Sequence, residues 1–337
     1  MNERKPRLTL LCGLSASGKS QYINTVSQDS DNEVITISTD GIRENICGRV
    51  EDQSKNKEVF QTFHSLIVKY LKNGIDVVAE ATNITMKSRR SILNVIKGID
   101  CEKVCVVIVK PIGECKKDNI DREHPVPGHV IDKQARKFQI PFLEEGWDEI
   151  KFVDHIHNKD KYNYRLENTW IPEIYNDFDQ KNPYHMESLG KHMTDAYDFS
   201  KKIHNDYSVL VATKYHDMGK LYTQTFDENG VAHYYGHENI GAYMMLVYEV
   251  ANQHSLFANH NIGDIAFYIN YHMLPFQWKP ISEPISECDN KWIKIMGHKK
   301  YENLWSLHIA DLVASKREKG LSEALQAKRG FDNEFDL

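Results

Sequence analysis

Nothing in the 337-residue sequence approaches the apolar run of roughly 20 residues that a bilayer crossing requires; the longest apolar stretches, such as 104–109, are strand-sized. The opening Met1-Asn2-Glu3-Arg4-Lys5-Pro6 carries no signal-peptide core, so a soluble, cytoplasmic chain with no membrane partner is expected. A basic surplus is also missing. Residues 1–150 hold 22 Lys+Arg against 22 Asp+Glu, the remaining 187 hold 20 against 26, and the second part therefore carries the whole net charge of −6. A protein that tracks a long duplex neutralises many phosphates, so this balance leaves at most a nucleotide or a strand terminus as the nucleic-acid ligand. The six cysteines (Cys12, Cys47, Cys101, Cys105, Cys115, Cys288) lack zinc spacing and are expected to be reduced, packed thiols. There is no internal repeat, and 41% hydrophobic with 27% charged residues excludes collagen-like and wholly disordered chains.

What is present divides in two, as the length suggests. Short β-branched runs alternate with longer amphipathic stretches up to about residue 155. Strands are predicted over 7–12, 33–38, 76–81, 103–110 and 149–153, and helices over 18–27, 55–72, 87–96 and 128–138. This pattern reads as an α/β domain, 1–155, with a parallel sheet and helices on both faces. A polar, aromatic stretch follows, and the linker is placed at 156–180. From 181 to 330 the periodicity is helical, clearest over 207–215, 240–251, 262–271 and 304–314, which predicts an all-α bundle. Residues 331–337 are expected to be a frayed tail.

The segment Gly13-Leu14-Ser15-Ala16-Ser17-Gly18-Lys19-Ser20 fits G-x-x-x-x-G-K-[ST] directly after a strand and at the opening of a helix. In that setting the loop N–H groups face phosphates, Lys19 reaches the β/γ oxygens and the Ser20 hydroxyl ligates Mg²⁺, so ATP with Mg²⁺ is the expected ligand. The next strand ends in Ser38-Thr39-Asp40-Gly41-Ile42-Arg43. Asp40 either caps the following helix or takes the proton of an attacking hydroxyl at the carboxyl edge of the sheet, with Arg43 three residues on. Glu80-Ala81-Thr82-Asn83 closes the third strand, and Lys116-Lys117-Asp118-Asn119-Ile120-Asp121-Arg122 places cations on a short helix suited to a lid. Together these motifs resemble the polynucleotide-kinase branch of P-loop kinases over about residues 7–142. The resemblance implies that Asp40 activates a 5′-hydroxyl, that Arg43 holds the neighbouring substrate phosphate, and that Lys117 and Arg122 contact the ATP phosphates. Glu80 departs from the aspartate usual at its position.

Histidine is concentrated in the second part, with 11 of 16 beyond residue 180. Tyr215-His216-Asp217-Met218-Gly219-Lys220 lies on a helical stretch, and His216 with Asp217 can reach one metal if other helices supply the rest. Companions stand at His192, Gly236-His237-Glu238, Tyr271-His272 and His308-Ile309-Ala310-Asp311. So many imidazoles and carboxylates in a bundle core are costly to bury unless ligated or paired. The region resembles the HD-domain metal phosphohydrolases over about 183–318. That resemblance implies a four-ligand set of His192, His216, Asp217 and Asp311, a second metal at His237 and His272, and Lys220 beside the phosphate. His185, His204, His233, His254, His260 and His298 are expected to lie outside the ligand set. Such ligands suit Mn²⁺, Ni²⁺, Co²⁺, Fe²⁺ or Zn²⁺, which lower the pKa of water for attack on phosphorus.

A site that adds phosphate and a site that removes it must act on different positions. The chain resembles enzymes that pair a polynucleotide kinase with an HD phosphohydrolase and heal RNA or DNA ends, phosphorylating a 5′-hydroxyl and clearing 3′-end phosphates before a ligase acts downstream. Two other readings fit the same motifs: a nucleoside or small-molecule kinase fused to a nucleotidase, and an ATP-sensing switch that regulates the metal site.

Overall fold

The computed structural model describes residues 4–29, 33–157, 173–183, 187–251, 262–278, 287–316 and 322. The chain forms two compact units, Met1–Asp160 and Lys161–Leu337. Residues 158–172 of the expected linker, the expected tail, and His185, His254 and His260 lie outside the described residues.

The first unit alternates strands and helices: β1 (Arg7–Cys12), α1 (Lys19–Asp29), β2 (Val34–Ser38), α2 (Thr39–Cys47), α3 (Asn56–Lys72), β3 (Asp76–Glu80), α4 (Met86–Val95), β4 (Glu102–Val109), α5 (Ile112–Ile120), α6 (Gly128–Ala135) and β5 (Glu149–Asp154). The strands form one sheet of order β2-β3-β1-β4-β5 in which every neighbouring pair is parallel. Both faces of its centre are covered, and Leu8, Leu10, Leu11 and Val106 through Val109 are buried, as the near-continuous apolar runs require. Helix α3 shows the complementary pattern, burying Val59, Phe63, Ile67 and Leu71 at four-residue spacing along one stripe. Behind β3, the fully buried Arg89 donates from Nε and Nη2 to the two oxygens of Glu145 at 2.9 and 2.6 Å. Its remaining donors meet the carbonyls of Asn83, Gln139 and Ile140. A charge taken this far from water is tolerable only with all its donors matched.

The second unit contains α7 (Glu173–Asn176), α8 (Leu189–Ile203), α9 (Tyr207–Tyr215), α10 (Lys220–Thr223), β6 (Thr225–Phe226), β7 (Ala232–His233), α11 (His237–Ala251), α12 (Ile262–Tyr271) and α13 (Glu287–Ala314), the last broken at Gly297 (φ 80°). It is helical as expected, but not all-α. The turn Asp227-Glu228-Asn229-Gly230 reverses the chain, with Asp227 Oδ1 accepting from the N–H of Asn229 and of Val231. Strands β6 and β7 thus pair antiparallel. Residues 173–180, expected as linker, are also folded: α7 packs on α8, and Gln180 is fully buried. Among the described residues, no helix is long and apolar enough to cross a membrane.

Candidate functional site

The first unit carries a cavity of about 750 Å³ at the carboxyl edge of its sheet. The turn from β1 into α1 forms one wall. Gly13 and Ser17 are buried behind this turn, while Ser15, Ala16, Gly18, Lys19 and Ser20 face the cavity. Close approach explains Gly18: its φ is +104°, and a Cβ there would stand 2.7 Å from the His155 ring. Ala16 adopts a positive φ of 61°, a conformation that L residues rarely take and that clusters at ligand-binding turns. Lys19 Nζ donates to the carbonyls of Gly13 (3.2 Å) and Leu14 (2.7 Å). Burial lowers its pKa, against the raising effect of nearby Glu80. Ser20 Oγ donates to Glu80 Oε1 at 3.1 Å, so Glu80 stands beside the hydroxyl assigned to Mg²⁺.

The opposite wall begins at α2. Its cap is Ser38, whose hydroxyl accepts from the Asp40 N–H. The Asp40 carboxylate, 55% exposed, therefore remains available, held on one oxygen by Arg43 Nη1 at 3.0 Å. The Arg43 side chain is buried and its Nη2 donates to Asn56 at 3.1 Å, which fixes its direction. Arg122 lines the cavity from the segment after α5, whereas Lys117, on the exposed side of α5, does not. In its place the helix presents Asp118, ion-paired with Lys110 at the end of β4.

Two contributors escape the sequence. Lys110 reads there as the end of a strand. Gln134, on α6, accepts from the Ser15 N–H at 2.8 Å and donates to Ser15 Oγ at 2.9 Å, pinning the phosphate loop across 119 residues of chain. No local signal marks a partner so distant.

The second unit brings His192, His216, Asp217, Asp311, His237 and His272 together in its interior, each at most 6% exposed. Asp217 is the centre. Its Oδ2 lies 3.3 Å from both His192 Nε2 and His216 Nε2, and its Oδ1 lies 3.1 Å from His237 Nε2 and 3.7 Å from His272 Nε2. Asp311 Oδ1 completes the first group, 3.1 Å from His192 Nε2 and 3.7 Å from His216 Nε2. Atoms bound at about 2.0–2.2 Å to one ion stand roughly 3.0–3.5 Å apart, so both groups have the spacing of a ligand set, with Asp217 able to bridge them. The imidazoles are also oriented for it. His216, His237 and His272 direct Nδ1 at the carbonyls of Thr213, Tyr234 and Ile269 (2.7–2.8 Å), which leaves Nε2 free to ligate. Burial disfavours charge at His216, His272, Asp217 and Asp311. Even so, His216 is raised to about 10 by Asp217 and Asp311, and both carboxyls are held well below the usual range by the cations around them.

Local packing makes this possible. A Cβ at Gly219 would strike the His237 carbonyl and come within 2.7 Å of the Gly241 nitrogen, so glycine lets the His216-Asp217 turn lie against α11. Lys220 Nζ donates to Asp217 Oδ2 at 2.6 Å and to Gln180 Oε1 at 3.0 Å. His308, close to the ligands in sequence, packs instead against Phe276 and Trp305.

A family profile described as AAA domain matches residues 8–141. The L-seryl-tRNA(Sec) kinase of Methanococcus maripaludis is 29% identical over 144 residues, 42% of this chain and 56% of that protein. The first unit is a parallel-sheet α/β domain with a phosphate-loop turn between β1 and α1. The chain spans little more than half the length of that curated relative. Among solved structures, a chain of the Pnkp1/Rnl/Hen1 RNA repair complex matches with a TM-score of 0.36 and 20% identity, over 39% of this chain and 43% of that one. Kti12 of Chaetomium thermophilum in complex with ADP-AlF3 matches with a TM-score of 0.36 and 11% identity, over 44% of this chain and 89% of that one.

Proposed function

We propose that the chain is an ATP-dependent 5′-hydroxyl polynucleotide kinase joined to an HD-type, metal-dependent 2′,3′-phosphoesterase, and that it heals broken RNA or DNA ends for a ligase. One observation carries the reading: the same chain holds a phosphate loop facing an aspartate–arginine pair across a cavity and, separately, six buried donors spaced for divalent ions. In the kinase cavity Lys19 and Arg122 neutralise the ATP phosphates, and Ser20 with Glu80 hold Mg²⁺. Asp40 accepts the proton of the attacking hydroxyl, while Arg43 both orients Asp40 and receives the next phosphate of the strand. At the second site, His192, His216, Asp217 and Asp311 would hold one transition metal and Asp217, His237 and His272 another. A divalent ion bound there supplies a water of lowered pKa and neutralises phosphoryl charge. Lys220 keeps the Asp217 carboxylate ionised and adds positive charge where phosphate oxygens enter.

The test uses a short RNA with a 5′-hydroxyl and a 2′,3′-cyclic phosphate, incubated with ATP, Mg²⁺ and Mn²⁺, with both termini resolved by mass. Asp40→Ala should abolish 5′ phosphorylation and spare ester hydrolysis, and Asp217→Ala should do the reverse. A folded variant that lost both activities together would refute two independent sites. The similarity to a seryl-tRNA kinase makes a seryl hydroxyl carried on tRNA the second acceptor to compare, and free nucleosides the third.

A further inference from the structure

Only Lys110 and Pro111 separate β4 from α5, which carries Glu114 and Asp118 and is followed just past its end by Arg122. Side chains four residues apart on a helix lie on one face, so Glu114 and Asp118 point the same way. Both are held. Glu114 Oε2 accepts the His157 N–H at 2.9 Å. Asp118 Oδ2 accepts from the Lys110 ammonium and stands 2.8 Å from His157 Nε2. Lys110 directly follows β4 and is 1% exposed, while His157 stands three residues beyond β5. These two strand ends are themselves joined: Val109 pairs with Asp154, and the Val109 carbonyl accepts the His155 N–H at 3.1 Å. Two carboxylates one turn apart thus fasten one face of α5 to the carboxyl ends of β4 and β5.

What the helix carries depends on this clamp. The Asn119 carbonyl accepts the Arg122 N–H at 3.4 Å. The buried Asn119 amide donates to the Val126 carbonyl at 2.7 Å and accepts the Val126 N–H at 3.1 Å, so the segment holding Arg122 is tied back to α5. Where α5 is fixed, Arg122 is fixed, and Arg122 lines the cavity. Glu114 and His157 do not line it, and the His157 side chain is 58% exposed. An ion pair to so exposed a ring adds little stability, which leaves placement as its contribution. A cation that stabilises a migrating phosphoryl group has to be held to within about 0.5 Å. We propose, on the kinase reading of this cavity, that Glu114, Asp118 and His157 are positioning residues for phosphoryl transfer: they lock α5 to the strand ends and so aim Arg122 at the transferred group.

The experiment measures steady-state transfer from ATP to a 5′-hydroxyl RNA by the full-length protein. His157→Ala, a change outside the cavity, should lower kcat about tenfold and leave the KM for ATP within about twofold, because the lost interaction belongs to the transition state. Glu114→Ala and Asp118→Asn should act in the same way. His157→Gln, whose amide can still donate to Asp118, should recover most of the loss. In an Arg122→Ala background none of these changes should cost anything further, since the group they aim is gone. Full activity of His157→Ala would overturn the clamp. So would losses of equal size in both backgrounds, which would give Asp118 a nucleotide contact of its own. Hydrogen exchange read by mass is the independent measure: amides of residues 112–127 should exchange faster in His157→Ala while those of the sheet stay unchanged, and identical exchange in the two proteins would also overturn the clamp. If the unmodified protein phosphorylated no acceptor, the kinase reading would fail, and the exchange data would still decide whether the clamp holds the helix.

Discussion

In the first unit the groups proposed to carry chemistry stand at the open edge of a sheet, with Asp40 more than half exposed; in the second, six donors lie under helices, none more than 6% exposed. The open site is built from backbone. Its turn is shaped by Gly18 and Ala16 and steadied from outside by Gln134. The closed site is built from side chains whose rotations are set by carbonyls one helical turn back. On the reading proposed above, a nucleotide that enters and leaves would suit the first design, and ions that stay would suit the second, because rigid imidazoles lose little freedom on binding.

Substitutions at four positions test this contrast. Arg89→Ala removes a fully buried cation and strands Glu145, so the first unit should lose about 3–5 kcal/mol, seen as an earlier urea transition. Metal content should not change, and its loss in the same variant would show the two units to be coupled. Gly219→Ala should push the His216-Asp217 turn off α11 and reduce ester hydrolysis about a hundredfold, with ATP-dependent transfer as the control. Gln134→Ala removes two hydrogen bonds from the phosphate loop, and the KM for ATP should rise about tenfold in steady-state kinetics.

The smallest effect concerns Asp118. Burial raises its pKa, but hydrogen bonds from Lys110 and His157 outweigh this, and the carboxyl sits below its ordinary 3.8. A lowered carboxyl stabilises the fold above that value, and the stability is lost as pH falls through the folded pKa. Asp118→Asn should therefore cost about 1 kcal/mol at pH 7, and the gap between the two proteins should narrow steadily as the pH falls below the ordinary 3.8. A gap that persisted in acid would mean that Asp118 contributes by packing.

The elements most legible in the sequence were those with a strong local cause. Arg7–Cys12 stands out as an apolar run closed by glycine, and α9 and α12 have the ends expected from their spacing. Hairpin β6–β7 was not legible, since strands of two residues carry no alternation to read. The first half of α13 is rich in lysine, which obscured a helix that extends back to Glu287. At the sites, His216 and Asp217 announced themselves by adjacency, whereas Gln180 sat in what looked like linker, and Lys117 shared its helix with the residue that actually faces the cavity. For Gln180 the deciding fact was a partner 40 residues further along the chain.

The Lys19 ammonium is already satisfied by two carbonyls of its own loop. Capturing ATP is therefore an exchange, in which the incoming phosphates must outbid Gly13 and Leu14 and hand those carbonyls back to water. The same exchange applies to any nucleotide at this loop, so these two bonds weaken capture without choosing between forms.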